Sequence, residues 1–288
     1  MKAVVFLASF TAYLLTAGPG IYVDDSGEFC VAALTLGVPH PPGYPLYTLL
    51  LGLGRFIPVG SFSMRLNLVG AALGASAAVL MFVLMRRTVP GRPYLCMAGA
   101  LLAALASGWW SQAGTAKGGI YMLNLCAVLA VMVQSADCAK GLYPAALAAG
   151  LSLANHWMSA AGLVPAVAWL AARDAKRIAD DAGGWRYVTH VPGIRRAVLA
   201  AGFLFLGASL YVCLPLRATA KPFLNWGNPD RVSRFVFVVG RTQYAGPAEE
   251  EKLESPARRV SEIRDALALG DSRAYFLPSF PSTSPARL

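Results

Sequence analysis

Seven apolar segments without a single Asp, Glu, Lys or Arg constrain the fold of this chain more than any other feature. They cover about residues 3–20, 66–85, 94–110, 120–136, 142–155, 157–172 and 197–214. A charge at the centre of a bilayer costs roughly 2.5–3.5 kcal/mol on insertion scales, so uncharged runs are typical of membrane-spanning helices. We therefore predict an all-α integral membrane protein with about seven transmembrane helices.

The fifth and sixth segments are shorter than the ~20 residues that a straight span needs. They meet near Asn155 and His156. The sequence leaves two interpretations open here. The segments are either two tilted or broken helices, or one re-entrant unit.

The composition supports the membrane class and excludes others. Hydrophobic residues make up 56% of the 288 residues and charged residues 14%, whereas soluble domains carry about 25% charged residues. The net charge of +10 could suggest nucleic acid, but the basic residues lie in loops between apolar segments, so we expect no nucleic-acid partner. The five cysteines form no CxxC pair, and we predict neither a disulfide framework nor a zinc site.

Basic residues predict the orientation, because short cytoplasmic loops are enriched in Lys and Arg. The groups that one orientation places in the cytoplasm are Lys2, Arg86, Arg87, Arg92, Lys140, Arg173, Lys176, Arg177, Arg186, Arg195 and Arg196. The N-terminus is then cytoplasmic, while residues 21–65 and those after about 215 lie on the periplasmic or lumenal side. A cleaved signal peptide at residues 1–20 is the alternative, and it leaves the same loop outside.

The chain divides by composition into two parts. Residues 1–245 form the predicted membrane module. Residues 246–288 are charged and then rich in Ser and Pro, with no apolar segment. We predict that this tail is poorly ordered, because it has little core material.

Three carboxylates, Asp24, Asp25 and Glu28, directly follow the first segment. One interpretation is structural: Asp25 and Glu28 form a capping box at the start of an amphipathic helix that runs to about Leu36. The other is functional, because a carboxylate fixed at a helix start beside apolar neighbours suits a general base. Three acids in five residues exceed what a cap needs.

Further candidates lie at or near the same outer face. They are His40, Tyr44, Gln112, Asn155, His156, Arg217 and Trp226. Each has a structural alternative: a stiff proline-rich corner at His40 and Tyr44, an interhelical hydrogen bond at Asn155 and His156, a snorkelling anchor at Arg217, and a turn at Trp226. Their convergence predicts a binding site for a substrate with a charged head and a lipid tail.

Residues 25–29 read Asp-Ser-Gly-Glu-Phe, and residues 40–47 read His-Pro-Pro-Gly-Tyr-Pro-Leu-Tyr. These two motifs in tandem resemble the signature of the DUF2723 family, whose animal members are TMEM260-type protein O-mannosyltransferases. Shorter matches at 65–68, 110–113, 150–156, 214–217, 225–229 and 241–244 extend the resemblance over about residues 20–245.

The resemblance implies a glycosyltransferase of GT-C type that moves a sugar, mannose, from a polyprenyl-phosphate or dolichyl-phosphate carrier to a Ser or Thr of an acceptor protein. The resemblance assigns the catalytic position to Asp25, with Glu28 beside it. Of the three acids, Asp24 has the least support for a role in catalysis. Arg217 could stabilise the leaving phosphate. The expected partners are membrane lipid, the lipid-linked donor and the acceptor protein. Metal dependence stays open.

Two departures keep other functions open. Lys117 stands where the family tends to have an acidic residue, and family members usually continue well beyond the segment that ends at Tyr244. The resemblance therefore predicts a C-terminally truncated chain, which could be inactive. A transporter or flippase that uses the same acids is a further alternative, although the spans contain none of the buried charges that transport favours.

Overall fold

The computed structural model describes residues 1–135, 141–181 and 192–244, and within these ranges the chain is all-helical without a β-strand. The α-helices are α1 Lys2–Thr16, α2 Ser26–Thr35, α3 Pro45–Gly52, α4 Phe62–Thr88, α5 Pro93–Ala104, α6 Ser107–Ala113, α7 Gly119–Ser135, α8 Leu142–Ala160, α9 Leu163–Asp181, α10 Pro192–Ala208, α11 Cys213–Thr219 and α12 Val232–Val239. Short 3₁₀ helices cover Leu53–Phe56, Ser209–Val212 and Thr242–Tyr244.

A helix lies at each of the seven apolar segments, and the apolar helices place the chain among membrane proteins. Two helical stretches, Phe62–Thr88 and Gly193–Thr219, are long and apolar enough to cross a bilayer, and each has 27 residues. A third candidate is α5 together with α6, which are bent by 67° at their break. The all-α membrane class is therefore confirmed, while the count of seven spans stays a prediction.

Helix α4 is the central helix of the first half of the bundle and packs on α1, α5, α6 and α7. It begins where the Ser61 hydroxyl accepts a hydrogen bond from the Met64 N–H at 3.2 Å. It ends in Arg86 and Arg87, whose charges suit the negative end of the helix dipole. Its buried face is rich in small residues, which let neighbouring helices approach closely.

Helices α7, α8 and α10 form the second half, with α8 between the other two. Close approach of α8 and α10 depends on glycine: a Cβ on Gly207 would lie 2.5 Å from the backbone nitrogen of Leu151. Helix α8 is kinked at His156, where φ is −142° and ψ is 85°. Between the two interpretations of the fifth and sixth segments, the kink favours a broken helix.

The loop between α1 and α4 is held on the bundle by an aromatic cluster around Phe29 of α2. The Phe29 ring packs edge to face against the rings of His40, Tyr44 and Tyr47. Its centroid lies 5.8, 5.3 and 5.7 Å from theirs, respectively. Phe29 and Tyr47 are fully buried, and the Tyr47 hydroxyl donates to the carbonyl of Ala116. Burial of these rings fixes α2 and α3 against the loop that precedes α7.

The chain separates into two compact units, Met1–Arg241 and Thr242–Leu288. The first contains the helix bundle. Of the second, the structure describes only the 3₁₀ turn Thr242–Tyr244. The predicted tail, residues 246–288, lies outside the described residues.

Candidate active site

Asp24 and Asp25 share one cation, the ammonium of Lys117. The Lys117 Nζ lies 3.3 Å from an Asp24 carboxylate oxygen and 3.5 Å from one of Asp25. The Asp25 side chain is 43% exposed and so remains open to a substrate. Burial lowers the pKa of Lys117, but the hydrogen bond to Asp24 and the charges of both carboxylates outweigh it and raise that pKa overall. Lys117 is therefore a fixed positive charge between the two acids.

Glu28 is bound by His40. One carboxylate oxygen of Glu28 accepts the backbone N–H of His40 at 2.6 Å, and the other lies 2.7 Å from His40 Nδ1. The far ring nitrogen, Nε2, lies 3.0 Å from the hydroxyl of Tyr44. Glu28, His40 and Tyr44 thus form one hydrogen-bonded chain, in which the carboxylate orients the imidazole.

The capping-box prediction for α2 is wrong. Asp25 is the N-cap residue, but its side chain makes no capping hydrogen bond, and its carboxylate turns to Lys117 instead. Glu28 does not reach back to the start of the helix, because both of its oxygens are bound by His40. A hydrogen bond to a cation or an imidazole stabilises a carboxylate more than a bond to a half-exposed backbone N–H does.

Asp25, Glu28 and His40 also form a set of possible metal ligands. One donor atom from each residue lies within 4.8 Å of the others, and all three are half-buried. Two carboxylates and an imidazole are donors that a divalent cation accepts. A bound cation would compete with Lys117 for Asp25, and with the imidazole for Glu28.

A polar cavity of about 590 Å³ opens beside Asp24. Its lining residues are Tyr22, Val23, Asp24, Ser26, Ser111, Gln112, Thr115, Lys117 and Tyr121. Of the predicted site residues, it therefore includes Gln112. Asp24 lines it as well, although the family resemblance leaves that acid with the least support. Asp25 is not a lining residue, but its carboxylate lies 3.5 Å from the ammonium of Lys117, which is one.

His156 and Asn155 are sequence neighbours with different surroundings. The His156 ring lies 5.8 Å from the ring of Tyr44 and 6.1 Å from that of Tyr121, so it lies between the Glu28 chain and the cavity. Asn155 is fully buried and donates to the Ile120 carbonyl at 2.8 Å and to the Asn124 side chain at 2.6 Å. Asn155 thus joins α8 to α7, as the structural alternative proposed.

Arg217 and Trp226 lie at the opposite end of α2 from Asp25. The Arg217 guanidinium donates to the carbonyls of Thr35 and Leu36 at 3.0 and 2.7 Å. The backbone N–H of Trp226 donates to Val38 at 3.0 Å. Since α2 has ten residues, this end is about 15 Å from Asp25 along the helix axis. The structure brings His40, Tyr44, His156 and Gln112 to the acids, but not Arg217 or Trp226.

Sequence reasoning missed two residues of the site. The sequence marks Lys117 only as a departure from a family pattern, and the Asp-Ser-Gly-Glu motif points to its acids and not to Ser26. A signal for Lys117 was present: it is one of the few basic residues in a predicted outer loop. Ser26 has a comparable signal, because its hydroxyl lies in the sequence between Asp24 and Asp25 on one side and Glu28 on the other.

The part of the chain that contains this site is similar to known proteins. The family model described as the Protein O-mannosyl-transferase TMEM260 N-terminal domain matches residues 25–178, a range that begins at Asp25. A mouse protein named Protein O-mannosyl-transferase TMEM260 is 32% identical over 177 residues, which are 58% of this chain and 25% of the relative. A Dictyostelium discoideum protein of the same name is 30% identical over 82 residues, 27% of this chain and 10% of the relative.

The chain thus spans about a quarter or less of the length of these relatives. No solved structure matches it. Because the family model covers more than half of the chain, a range that includes Asp25, Glu28, His40 and Lys117, the chain belongs to the TMEM260 N-terminal-domain family of protein O-mannosyl-transferases.

Proposed function

We propose that this protein is a membrane glycosyltransferase of GT-C type that moves mannose from a polyprenyl-phosphate carrier to a Ser or Thr hydroxyl of an acceptor protein. The names of the relatives support the transferred group and the class of acceptor. The observation that carries the proposal is the position of Asp25. Its carboxylate is half-exposed at the start of α2, beside a half-buried Glu28–His40 pair and a polar cavity.

In the proposed reaction Asp25 is the general base. It takes the proton of the acceptor hydroxyl while the hydroxyl oxygen forms a bond to the anomeric carbon. The bond between that carbon and the phosphate oxygen breaks, and its electron pair leaves with the polyprenyl phosphate. Transfer therefore inverts the configuration at the anomeric carbon. No nucleophile from the protein is needed, because the phosphate is already a good leaving group.

The neighbouring residues position this base. Lys117 holds the Asp25 carboxylate through its charge. Glu28 fixes His40, and His40 in turn holds the hydroxyl of Tyr44 near the acids. Arg217 has a supporting role in this proposal, because it binds the last carbonyls of α2 and so anchors the helix that carries Asp25.

We further propose that the protein crosses the membrane several times, with about seven spans and a cytoplasmic N-terminus. The site then faces the periplasm or the lumen of the endoplasmic reticulum. The distribution of Lys and Arg supports this orientation. A helix at each apolar segment supports the number of spans.

The test is a transfer assay with the purified chain in lipid nanodiscs, using polyprenyl-phosphate mannose and Ser/Thr peptides. We expect Asp25→Asn to lower kcat by about 10²- to 10⁴-fold, because the amide cannot accept the proton. Asp230→Asn is the matched control, since Asp230 is a half-exposed acid that pairs with Arg234 outside the site. Full transfer by Asp25→Asn would overturn the assignment of the base.

A further inference from the structure

We infer that the polar cavity beside Asp24 binds the neutral sugar ring of the substrate, with the buried hydroxyl of Ser26 as one of its hydrogen-bonding groups. This inference rests on the proposed function and names the place where the sugar is held. The residues that argue for it come from separate parts of the chain: the segment before α2, the first turn of α2, helix α6, the loop after α6, and the start of α7.

The first observation is the unpartnered hydroxyl of Ser26. The Ser26 side chain is 1% exposed, and its Oγ has no hydrogen-bond partner among the residues that the structure describes. A buried hydroxyl without a partner costs free energy, so such groups are uncommon in folded proteins. Ser26 lines the cavity, and a ligand in the cavity would supply the missing partner.

The second observation is the charge of the cavity. Lys117 lies within 3.5 Å of carboxylate oxygens of both Asp24 and Asp25, so the three groups together carry one net negative charge. The ammonium is therefore already neutralised and is a poor site for a further anion. A neutral polyhydroxyl ligand fits better, because its hydroxyls can donate to the carboxylates and accept from the ammonium.

The third observation is the mixture of groups on the walls. Tyr22 donates its hydroxyl to the Thr16 carbonyl and accepts the Gly18 N–H, so its polar end is bound to the backbone. The ring of Tyr22 and that of Tyr121 then offer apolar faces to the C–H face of a sugar. Gln112 also lines the cavity, and its side-chain amide has both a donor and an acceptor. A volume of about 590 Å³ accommodates a small ligand.

The position of the cavity agrees with transfer at Asp25. Asp24 lines the cavity, and Asp25 is the next residue in the chain. Both carboxylates contact Lys117. Tyr121 borders the cavity and faces His156, which in turn faces Tyr44. A sugar in this cavity would therefore have the proposed base on one side and the Glu28–His40–Tyr44 chain on another.

The test measures sugar binding without transfer. Methyl α-mannopyranoside is titrated into the full chain in nanodiscs and followed by saturation-transfer NMR, beside the matching uronate, which adds a negative charge. We expect the neutral glycoside to bind and the uronate to bind at least tenfold more weakly. Ser26→Ala should weaken binding of the neutral glycoside roughly three- to tenfold, which is the value of one hydrogen bond.

Ser9→Ala is the matched control. Ser9 is also a fully buried serine with an unpartnered Oγ, but it lies in α1 and does not line the cavity. We expect Ser9→Ala to leave sugar binding unchanged. If Ser26→Ala does not fold, Gln112→Leu on α6 provides a second variant with the same expected loss.

The outcomes separate this inference from the proposed function. Absence of glycoside binding, or unchanged binding in both Ser26→Ala and Gln112→Leu, overturns the sugar site even if transfer is observed. Tighter binding of the uronate overturns it as well. Sugar binding that depends on Ser26, in a protein that transfers no mannose to any acceptor, supports the site and contradicts the proposed function.

Discussion

At the scale of single residues, the site is organised by competition for carboxylates. Glu28 had two possible partners, the start of its own helix and His40, which is 12 residues away. His40 provides two donors, its backbone N–H and its ring Nδ1, so binding it satisfies both carboxylate oxygens at once. The side chain of Glu28 is only 18% exposed, and a buried carboxylate with one oxygen free would be costly.

This pairing predicts a positioning role for Glu28. We expect Glu28→Gln to lower kcat roughly 10- to 100-fold, because a hydrogen bond to a charged group contributes about 1.5–3 kcal/mol. The amide can still accept one N–H, but it no longer bears the charge that orients the His40 ring and selects its tautomer. The measurement is the transfer rate, together with the ¹⁵N NMR spectrum of the histidines.

The chain has only three histidines, which makes the His40 signals assignable. We expect its ring signals to shift toward a mixture of tautomers in Glu28→Gln and to return in Glu28→Asp if the shorter acid reaches the ring. An unchanged His40 spectrum together with an unchanged rate would contradict the positioning role.

At the scale of elements, α2 is held at both ends and along one side. Its first turn is bound through Asp25 to Lys117 and through Glu28 to His40. Its last carbonyls accept from Arg217, and Phe29 anchors its middle in the aromatic cluster. A helix of ten residues is marginal by itself. These contacts explain why it stays in place and can carry a base.

Packing of α8 against α10 predicts a sharp difference between two glycines of the same helix. Gly207 of α10 has no room for a Cβ, because the nearest backbone atom of α8 would be 2.5 Å away. Gly202 of α10 has nothing within 4 Å. We expect Gly207→Ala to destabilise the protein by about 1–3 kcal/mol through overpacking.

Gly202→Ala is the control, and we expect it to be neutral or stabilising by up to about 1 kcal/mol, since Ala favours helix. The measurement is the thermal unfolding midpoint in the same nanodiscs. Equal midpoints for the two variants would mean that α8 and α10 do not pack as closely as described.

At the scale of the whole molecule, orientation decides which compartment the site can serve. The predicted topology places the loop with Asp24 and Asp25 outside and the end of α9 in the cytoplasm. Val23 is 81% exposed beside the acids, and Lys176 is exposed near the end of α9. Both positions suit cysteine labelling, since neither side chain is buried.

We expect Val23→Cys to react with a membrane-impermeant maleimide in intact bacterial spheroplasts, because its loop faces the outside. Lys176→Cys should react only after permeabilisation. The parent chain, in which Cys30 and Cys96 are buried, gives the background. If Lys176→Cys reacts in intact spheroplasts and Val23→Cys does not, the orientation is the reverse of the predicted one, and a site on the outer face is excluded.

The sequence by itself determined the class of the protein and the location of its long apolar helices. Charge-free apolar segments predict helices because a bilayer demands internally satisfied backbone and excludes charge, and both requirements are local to each segment. The motifs around Asp25 and His40 likewise carried the family, since they are continuous in the chain.

Only the tertiary structure decided how these residues meet. Lys117 contacts acids that lie more than 90 residues earlier in the chain. Arg217 anchors the far end of α2 and does not face the acids. Ser26 lines a cavity that is formed partly by α6 and the loop after it. Such contacts depend on how α2 and α3 pack against α4 and α7, and no local pattern encodes that packing. The capping-box prediction is wrong for the same reason. The start of a helix predicts a cap, but the carboxylate of Glu28 binds His40, which is distant in the sequence.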